Sequence, residues 1–240
     1  MSRTPRPIRS DIAWSTADRI TIRGRDLPSE ILGHMSLADL SFLQLTGREA
    51  TPEQSQVYNA ILIALVEHGL TPSALAARLT YAGAPESLQA AVAAGLCGVG
   101  SVFVGSMEGT AQMLAEALAG DDGTLDLAET AAGIVAGFRA RGTIIPGLGH
   151  PFHKPIDPRT PRLFEIAADN GLAGRHVELM QLIGREAERV SGKSLPINAT
   201  GAIGLVGHLM EESEQPLALE LWHRADDEAC AHLRPAGSGA

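Results

Sequence analysis

The segment from Gly147 to Arg159 gathers most of the residues that could do chemistry. It reads Gly-Leu-Gly-His-Pro-Phe-His-Lys-Pro-Ile-Asp-Pro-Arg, so two histidines, a lysine, an aspartate and an arginine share one stretch. A histidine in a fixed loop can donate a hydrogen bond to a carbonyl or alkoxide oxygen near neutral pH. Arg159 can grip a carboxylate with its planar fork, and Lys154 suits a phosphate. This pattern predicts a site for an anionic substrate, with a merely solvated charged loop as the alternative.

The glycines and prolines of this segment predict a loop, and the flanking sequence predicts the helices that hold it. Helix-start signals at Ser36, Thr51-Pro52, Thr71-Pro72 and Ala84-Pro85-Glu86 precede apolar residues at helical spacing. Residues 1–35 are predicted to be irregular, with 20–23 as either a short strand or an extended arm. A Gly-rich segment, 98–109, is predicted to lead into a helix that ends at about 118, and further helices are predicted at about 125–141, 160–170, 173–191, 197–212 and 215–232.

The composition favours an all-α fold. Aromatic residues make up only 4% of the chain, whereas alanine, leucine and glycine are abundant. Such residues suit closely packed helices, because strand-rich folds usually recruit more aromatic and β-branched side chains.

The charge and the cysteines exclude several classes of function. A net charge of −9 argues against non-specific binding to nucleic acid, which needs a basic face. Cys97 and Cys230 have neither a disulfide pattern nor metal-ligand spacing, which predicts a cytoplasmic protein with no metal. No signal peptide is expected. The uncharged stretch from Ser87 to Met107 is too rich in alanine and glycine to favour lipid, so it predicts a buried helix and a loop.

The loop and three other segments resemble the citrate synthase superfamily. The residues from Gly147 to Lys154, followed by Asp157-Pro-Arg159, are similar to its Gly-x-Gly-His-x-x-Tyr-Lys…Asp-Pro-Arg segment. Weaker matches follow the same order along the chain, over about residues 18–232. They are Leu65-Val-Glu-His68-Gly, Gly100-Ser-Val-Phe-Val-Gly-Ser-Met-Glu108 and Leu195-Pro-Ile-Asn-Ala-Thr-Gly201. The short chain looks most like the compact bacterial branch labelled citryl-CoA lyase.

The resemblance implies a citrate synthase-like homodimer with an active-site cleft between a large and a small helical domain. The small domain would take residues 104–204, and the large domain would take 1–103 and 205–234, with 235–240 as a disordered tail. The implied ligands are an acyl-CoA, with coenzyme A as part of substrate and product, and oxaloacetate or a related 2-oxo acid.

The resemblance also implies roles for single residues. His150 matches the histidine that polarises the ketone of oxaloacetate, and Arg159 matches an arginine that holds its carboxylate. His68 matches a substrate-contacting histidine, and Arg224 matches another carboxylate-binding arginine. Asn198 is a further candidate for substrate binding, or else the cap of the following helix. For the coenzyme A moiety the candidates are Lys154, Gly147 and Gly149.

Two positions depart from the family pattern. The family histidine that stabilises the enol of acetyl-CoA falls at Phe103, and the aspartate that removes the α-proton falls at Thr200. Neither side chain can do that work near pH 7, so the pattern favours cleavage over synthesis. His150 could take the hydroxyl proton in a retro-aldol cleavage. The enolate would then need His153, a backbone N–H of residues 104–109, or Glu108 through a water, although His153 could merely order the loop and Glu108 merely favour a helix start.

These observations predict a carbon–carbon lyase that cleaves citryl-CoA, or a similar β-hydroxyacyl-CoA, to acetyl-CoA and oxaloacetate. The first alternative is the same scaffold acting on a different 2-oxo acid or hydroxy-polycarboxylate. The second is a non-catalytic paralogue that binds acyl-CoA or polycarboxylates, as the substitutions at Phe103 and Thr200 would allow.

Overall fold

The computed structural model describes residues 12–67, 69–100 and 105–209, with side chains to 204, and this part of the chain is mostly helical. The predicted all-α class is confirmed. Within these residues the strands are β1 (Ala13–Ser15), β2 (Ile20–Ile22) and β3 (Arg25–Asp26). The helices are α1 (Leu37–Thr46), α2 (Pro52–Leu65), α3 (Pro72–Gly83), α4 (Leu88–Cys97), α5 (Ser106–Ala117), α6 (Leu127–Arg141), α7 (Arg159–Asp169), α8 (Arg175–Ser191) and α9 (Ala199–Leu209).

The N-terminal region is more regular than the sequence predicts. The three strands form an antiparallel sheet in the order β1-β2-β3, and a π-type turn at Leu27–Ile31 follows. The strand alternative for residues 20–23 is therefore correct, and the prediction of an irregular region is wrong for this stretch. The strands are only two or three residues long, so alternation of apolar and polar residues had too little length to reveal them.

Local capping signals set the starts of the first helices. Ser36 and Thr51 each accept a hydrogen bond from the backbone N–H three residues later and form a capping box, and Thr71 accepts in the same way. Helix α4 is the exception, because it starts at Leu88 and not at the predicted Ala84-Pro85-Glu86. The Ser87 N–H bonds instead to the Ala84 carbonyl, which makes residues 84–87 a turn.

Two apolar clusters hold the helices together. The first lies between α5, α6 and α8 and includes the side chain of Leu148 from the site loop. The second joins α2 to α7 and α9. The site loop, residues 142–158, thus runs between elements that are anchored in both clusters. The domain boundaries at 104 and 204 stay a prediction, and the helix at 215–232 and the tail at 235–240 lie outside the described residues.

Helices α3 and α4 pair closely with each other and leave their outer faces exposed. A side chain at Gly95 would touch the Ala77 Cβ at 3.2 Å, and one at Gly98 would overlap the Ser73 Cα at 2.8 Å. The outer faces carry apolar residues at four-residue spacing, namely Leu75, Leu79, Leu88, Val92 and Leu96. The prediction that α4 is buried is wrong for this chain, because its apolar content points outward. No described helix is long and apolar enough to cross a membrane.

The site loop crosses α9 with backbone against backbone. Gly147 has φ +77°, and a Cβ there would lie 2.6 Å from the Thr110 Oγ1 and 2.7 Å from the Gly201 Cα. A Cβ at Gly201 would in turn lie 2.5 Å from the Gly147 carbonyl oxygen. Only glycine suits both positions. This close contact fixes the distance between the loop backbone and the start of α9.

The crossing generates a stability prediction. Gly147→Ala should lower the free energy of unfolding by about 3 kcal/mol, because a left-handed backbone costs about 1–2 kcal/mol and the overlaps add a similar amount. Gly142→Ala is the matched control, since Gly142 has φ +65° and open space around its Cα. Urea denaturation should show a loss of only about 1 kcal/mol for the control. Equal losses in the two variants would contradict the close crossing.

Candidate functional site

His150 is held by the backbone of its own loop. Its Nδ1 accepts hydrogen bonds from the backbone N–H groups of Phe152, at 3.1 Å, and His153, at 2.9 Å. A neutral imidazole that accepts at Nδ1 carries its proton on Nε2. The Nε2 atom is shielded from solvent. The loop therefore fixes His150 as a hydrogen-bond donor through Nε2, and this tautomer disfavours a role as a base.

His153 packs against the His150 ring. The two ring centroids are 4.4 Å apart with an angle of 31° between the planes. The His153 side chain is half-buried, so it can both hold the orientation of His150 and face a ligand. This contact is compatible with the loop-ordering role and with the catalytic role that the sequence left open.

Asp157 and Arg159 form a paired unit at the end of the loop. The Arg159 Nε and Nη2 donate to the Asp157 Oδ1 and Oδ2 at 3.0 and 2.8 Å, and the Arg159 N–H donates to Oδ1 at 3.1 Å. The Ala199 N–H adds a bond to Oδ2 at 3.0 Å. Asp157 is fully buried. Within the described part of the chain Arg159 Nη1 makes no hydrogen bond, so it remains available for a substrate carboxylate.

The electrostatics of Asp157 favour its charged form. Burial alone would raise the pKa of this carboxyl, but the hydrogen bonds from the Arg159 side chain and backbone, the charge of Arg159 and the Ala199 N–H outweigh burial. The net effect is a pKa below the ordinary value of an aspartate.

A chain of neutral polar side chains lies at the start of α9. The Asn198 amide nitrogen donates to the Gly149 carbonyl at 2.8 Å, and its Oδ1 accepts from the Gly201 N–H at 2.9 Å. The Thr200 hydroxyl also donates to Oδ1, at 2.7 Å. A hydroxyl has one proton, so the 2.7 Å contact between Ser106 and Thr200 must have Ser106 as donor. Asn198 therefore caps α9 and ties it to the site loop.

Two cavities share a wall made by His150, Pro151 and Arg159. The inner cavity measures about 330 Å³ and lies between the loop, the start of α5 and the start of α9. The outer cavity measures about 680 Å³ and lies between the loop and residues 67–72, which connect α2 to α3. Groups on the shared wall can act on a ligand that occupies either cavity or extends through both.

The inner cavity favours an anion. The first residues of α5, α7 and α9, namely Ser106, Arg159 and Ala199, all line it. Helix N-termini carry a partial positive charge and exposed N–H donors. No carboxylate is present among the described residues that line this cavity. The cavity therefore combines an arginine, a histidine and three helix N-termini, and the nearby Asp157 carboxylate offsets part of this positive charge because it accepts from Arg159 and from the first N–H groups of α7 and α9.

The structure brings together most, but not all, of the residues predicted from the sequence. Six of them line the inner or the outer cavity, namely His150, His153, Arg159, Asn198, Gly147 and Gly149. Lys154 is exposed beside the cavities, and Glu108 is exposed on α5 without lining either of them. His68, Phe103 and Arg224 lie outside the described residues.

The backbone groups of Gly147 and Gly149 form hydrogen bonds with other parts of the protein. The Gly147 carbonyl accepts from the Asn198 N–H at 3.0 Å, and the Gly149 N–H donates to the Pro196 carbonyl at 2.7 Å. These bonds give the glycines a structural role, while their contact with coenzyme A stays a prediction. No group of three or more His, Cys, Asp or Glu side chains that could hold a metal occurs in the ranges the structure describes.

Sequence reasoning missed Ser106 and Glu67 as site residues. Ser106 stands in the Gly-rich segment that resembles the family, and Glu67 immediately precedes His68. Both lie within segments matched to the family, but neither type has a distinctive spacing. Only the fold places Ser106 against Thr200 and Glu67 in the outer cavity.

Comparison with known proteins decides the family. The family model for the C-terminal domain of citrate synthase matches residues 18–216. The chain belongs to the citrate synthase family. A citrate synthase of Deinococcus radiodurans is 31% identical over 123 residues, which are 51% of this chain and 30% of that protein. The chain thus spans about a third of the length of the curated citrate synthase relatives it matches.

Solved structures of this family share the fold. A citryl-CoA lyase from Hydrogenobacter thermophilus superposes with a TM-score of 0.71 and 28% identity, and the match covers 98% of this chain and 96% of that one. ATP citrate lyase from Methanothrix soehngenii, solved with citrate and coenzyme A, gives a TM-score of 0.75 at 19% identity. That match covers 97% of this chain and 36% of the lyase.

The Asp157 unit predicts a pH-dependent loss of stability. Asp157→Asn should cost about 3–5 kcal/mol of unfolding free energy at pH 7, because it leaves the buried Arg159 contact without its counter-charge. The folded pKa of Asp157 lies below the unfolded value, so its contribution is present above about pH 4 and is lost as pH falls from there through the folded pKa. Urea denaturation from pH 7 to pH 3 should show a smaller decline for the variant than for the wild type. Glu186→Gln, which removes a surface ion pair with Arg189, is the control and should leave the free energy of unfolding almost unchanged.

Proposed function

We propose that this protein cleaves citryl-CoA, or a similar β-hydroxyacyl-CoA, to acetyl-CoA and oxaloacetate. The observation that carries the proposal is the fixed Nε2–H donor of His150 on the wall between the two cavities, beside the arginine of the Asp157–Arg159 unit. The similarity to a citryl-CoA lyase over nearly the whole of both chains supports it.

The site suits both halves of such a substrate. The carboxylates of the oxaloacetate half fit the inner cavity, where Arg159 and the helix N-termini supply positive charge. The CoA half extends along the loop, where the exposed Lys154 is positioned to meet a phosphate. Asn198 would contact the substrate from the start of α9 while it holds the loop. His68 and Arg224 remain proposed contacts from outside the described residues.

The cleavage needs a donor, a base and an acid. The hydroxyl of the substrate loses its proton, the carbon–carbon bond breaks, and the bonding electrons pass to the carbon beside the thioester. His150 would stabilise the oxygen as it becomes a ketone, by donating a hydrogen bond from Nε2–H to the negative charge that develops there. Its Nδ1 is already engaged, so the hydroxyl proton goes to another group. The enolate then takes up a proton, for which His153 is the proposed neighbour in the outer cavity. Glu108 could act only through a water.

The inner cavity favours cleavage over synthesis. Synthesis from acetyl-CoA starts with removal of a weakly acidic methyl proton, which needs a strong and well-placed base. Thr200 is a neutral hydroxyl held between Ser106 and Asn198, so it cannot supply that base near pH 7. Cleavage starts instead from a hydroxyl, whose proton is easier to remove.

The proposed cleavage should be measurable with the purified protein. Purified protein incubated with citryl-CoA should release oxaloacetate, measured by NADH consumption with malate dehydrogenase. His150→Ala should lower kcat by about 100-fold or more, the usual cost of losing one donor to a developing oxyanion. His34→Ala, which changes a histidine remote from both cavities, is the control and should keep wild-type activity. Failure with citryl-CoA, 2-methylcitryl-CoA and malyl-CoA would reject this function.

Two alternatives make different predictions. A scaffold for another polycarboxylate or 2-oxo acid, which the substitutions at Phe103 and Thr200 would permit, should be stabilised in a thermal-shift assay by free acids and not by CoA esters. A non-catalytic binding paralogue should be stabilised by ligands yet show no turnover that depends on His150.

We also propose that the protein is a homodimer that pairs through the outer faces of α3 and α4. These helices pack extensively only on each other within the described structure. Both helices expose apolar side chains at four-residue spacing, and clustered exposed apolar residues of this kind often mark an interface. A two-helix hairpin with so many exposed leucines gains its stability from a partner surface, and a second copy supplies a matching one. We further propose a cytoplasmic location, because the chain has only two cysteines and no disulfide pattern.

The molecular mass of the protein in solution tests the proposed dimer. The wild type should elute as a dimer in size-exclusion chromatography with light scattering, and Leu79→Arg should shift it to the monomer. Leu79 is 73% exposed on α3, so its replacement disturbs little within one chain. Leu37→Arg, at an equally exposed leucine on α1, should leave the mass unchanged. A wild-type monomer at micromolar concentration would contradict the proposed pairing.

A further inference from the structure

We infer that Glu67 is the base that takes the hydroxyl proton of the substrate and that Glu67, instead of His153, returns this proton to the enolate carbon. The inference rests on the proposed cleavage of a β-hydroxyacyl-CoA. That reaction needs a proton acceptor, and the contacts of His150 leave it as a donor. The remaining question is which group in reach of the shared wall can accept and release a proton.

Glu67 is placed for this step by the turn between α2 and α3. It lies two residues beyond the end of α2 and lines the outer cavity opposite the loop that carries His150, His153 and Arg159. Among the described residues that line either cavity, it is the only carboxylate. A substrate oxygen bound to the His150 Nε2–H at the shared wall would therefore face a carboxylate across the same space.

One oxygen of Glu67 anchors the side chain and the other remains available. The Oε1 accepts a hydrogen bond from the Gly69 N–H, in a turn where Gly69 has φ +71°. The Oε2 makes no hydrogen bond to any residue that the structure describes. A carboxylate fixed through one oxygen keeps its direction and can accept a proton on the second.

The described side chains that face Glu67 across the outer cavity are cationic, titratable or uncharged, and none is a carboxylate. Among the residues that the structure describes, the titratable or charged side chains that line the outer cavity with Glu67 are those of His150 and His153 in the loop and Arg159 at the start of α7. The facing residues at the start of α3, Thr71 and Pro72, carry no charge. Arg159, which is paired with Asp157, and the two loop histidines are therefore the described groups that a substrate in this cavity would share with Glu67.

In the proposed step, the proton that leaves the hydroxyl is the one that the enolate carbon receives. Glu67 takes the hydroxyl proton, the carbon–carbon bond breaks, and its electron pair forms the thioester enolate while the oxygen becomes the oxaloacetate ketone. The protonated Glu67 then gives the proton to the enolate carbon, which yields the methyl group of acetyl-CoA. The carboxylate is regenerated, so no other acid or base is consumed.

Glu67→Gln separates this role from a structural one. The glutamine amide oxygen can still accept from the Gly69 N–H, so the turn and the melting temperature should be preserved. Because the amide cannot take a proton, kcat for citryl-CoA cleavage should fall about 100-fold to 1,000-fold while KM changes little. Glu86→Gln, which alters an exposed acid before α4 that lines neither cavity, should match the wild type.

Chemical rescue gives a second readout that a structural role would not move. Glu67→Ala should lose a similar share of activity, and added formate should restore part of its kcat in proportion to concentration, since the outer cavity has room for a small carboxylate. If the wild type turns over but Glu67→Gln keeps its kcat, or formate rescues nothing in Glu67→Ala, this inference is wrong and the cleavage function stands. If the wild type turns over no thioester, the proposed function itself fails.

Discussion

The buried carboxylate of Asp157 is the interaction on which the site depends. It accepts from the first backbone N–H of α7 and of α9 and from the fork of Arg159, so one side chain joins two helix N-termini to the site arginine. A buried charge is costly unless every lone pair finds a donor, and here the donors include two helix dipoles and a cation. Because α7 and α9 both pack on α2, Asp157 also links the site to the second apolar cluster. Moving this carboxylate would release the arginine and the helix ends together.

The orientation of His150 follows from backbone geometry and not from a partner side chain. The chain turns after Pro151 so that two successive N–H groups, those of Phe152 and His153, point back at one ring nitrogen. A carboxylate at the same nitrogen would accept a hydrogen bond from its N–H and leave the other nitrogen unprotonated and able to act as a base, whereas two N–H donors at this nitrogen leave the other nitrogen protonated. Local turn geometry therefore selects the chemical role of the histidine. The Gly147–Gly201 crossing and the Asn198 bond to Gly149 keep that turn at the mouth of the inner cavity.

Helices and the main loop could be predicted from the sequence because their signals are local. A Ser or Thr cap followed by Pro or an acid sets a helix start within one turn, as at Ser36 and Thr51. The short strands and the start of α4 could not be predicted in this way. The strands depend on pairing with each other, and the start of α4 depends on the turn at residues 84–87, and neither has a distinctive local sequence pattern. The loop histidines and Arg159 were predictable as a cluster, since they are neighbours in the chain. Ser106 and Thr200 are 94 positions apart and meet only through the contact of α5 with α9. Glu67 reaches the site only because α2 ends beside the loop.

The hydrogen bonds between the side chains of Ser106, Thr200 and Asn198 run in one direction, and this direction limits proton transfer in the inner cavity. Each hydroxyl donates toward α9, and the last acceptor is an amide oxygen already bonded to the Gly201 N–H. An amide oxygen is far too weak a base to take a proton near pH 7, so the chain conducts none. It adds no net charge and no base to the inner cavity. In the proposed cleavage, proton transfer would therefore occur in the outer cavity. In the proposed cleavage the two cavities would therefore differ in role, with charge recognition in the inner one and acid–base chemistry in the outer one that Glu67 and His153 line.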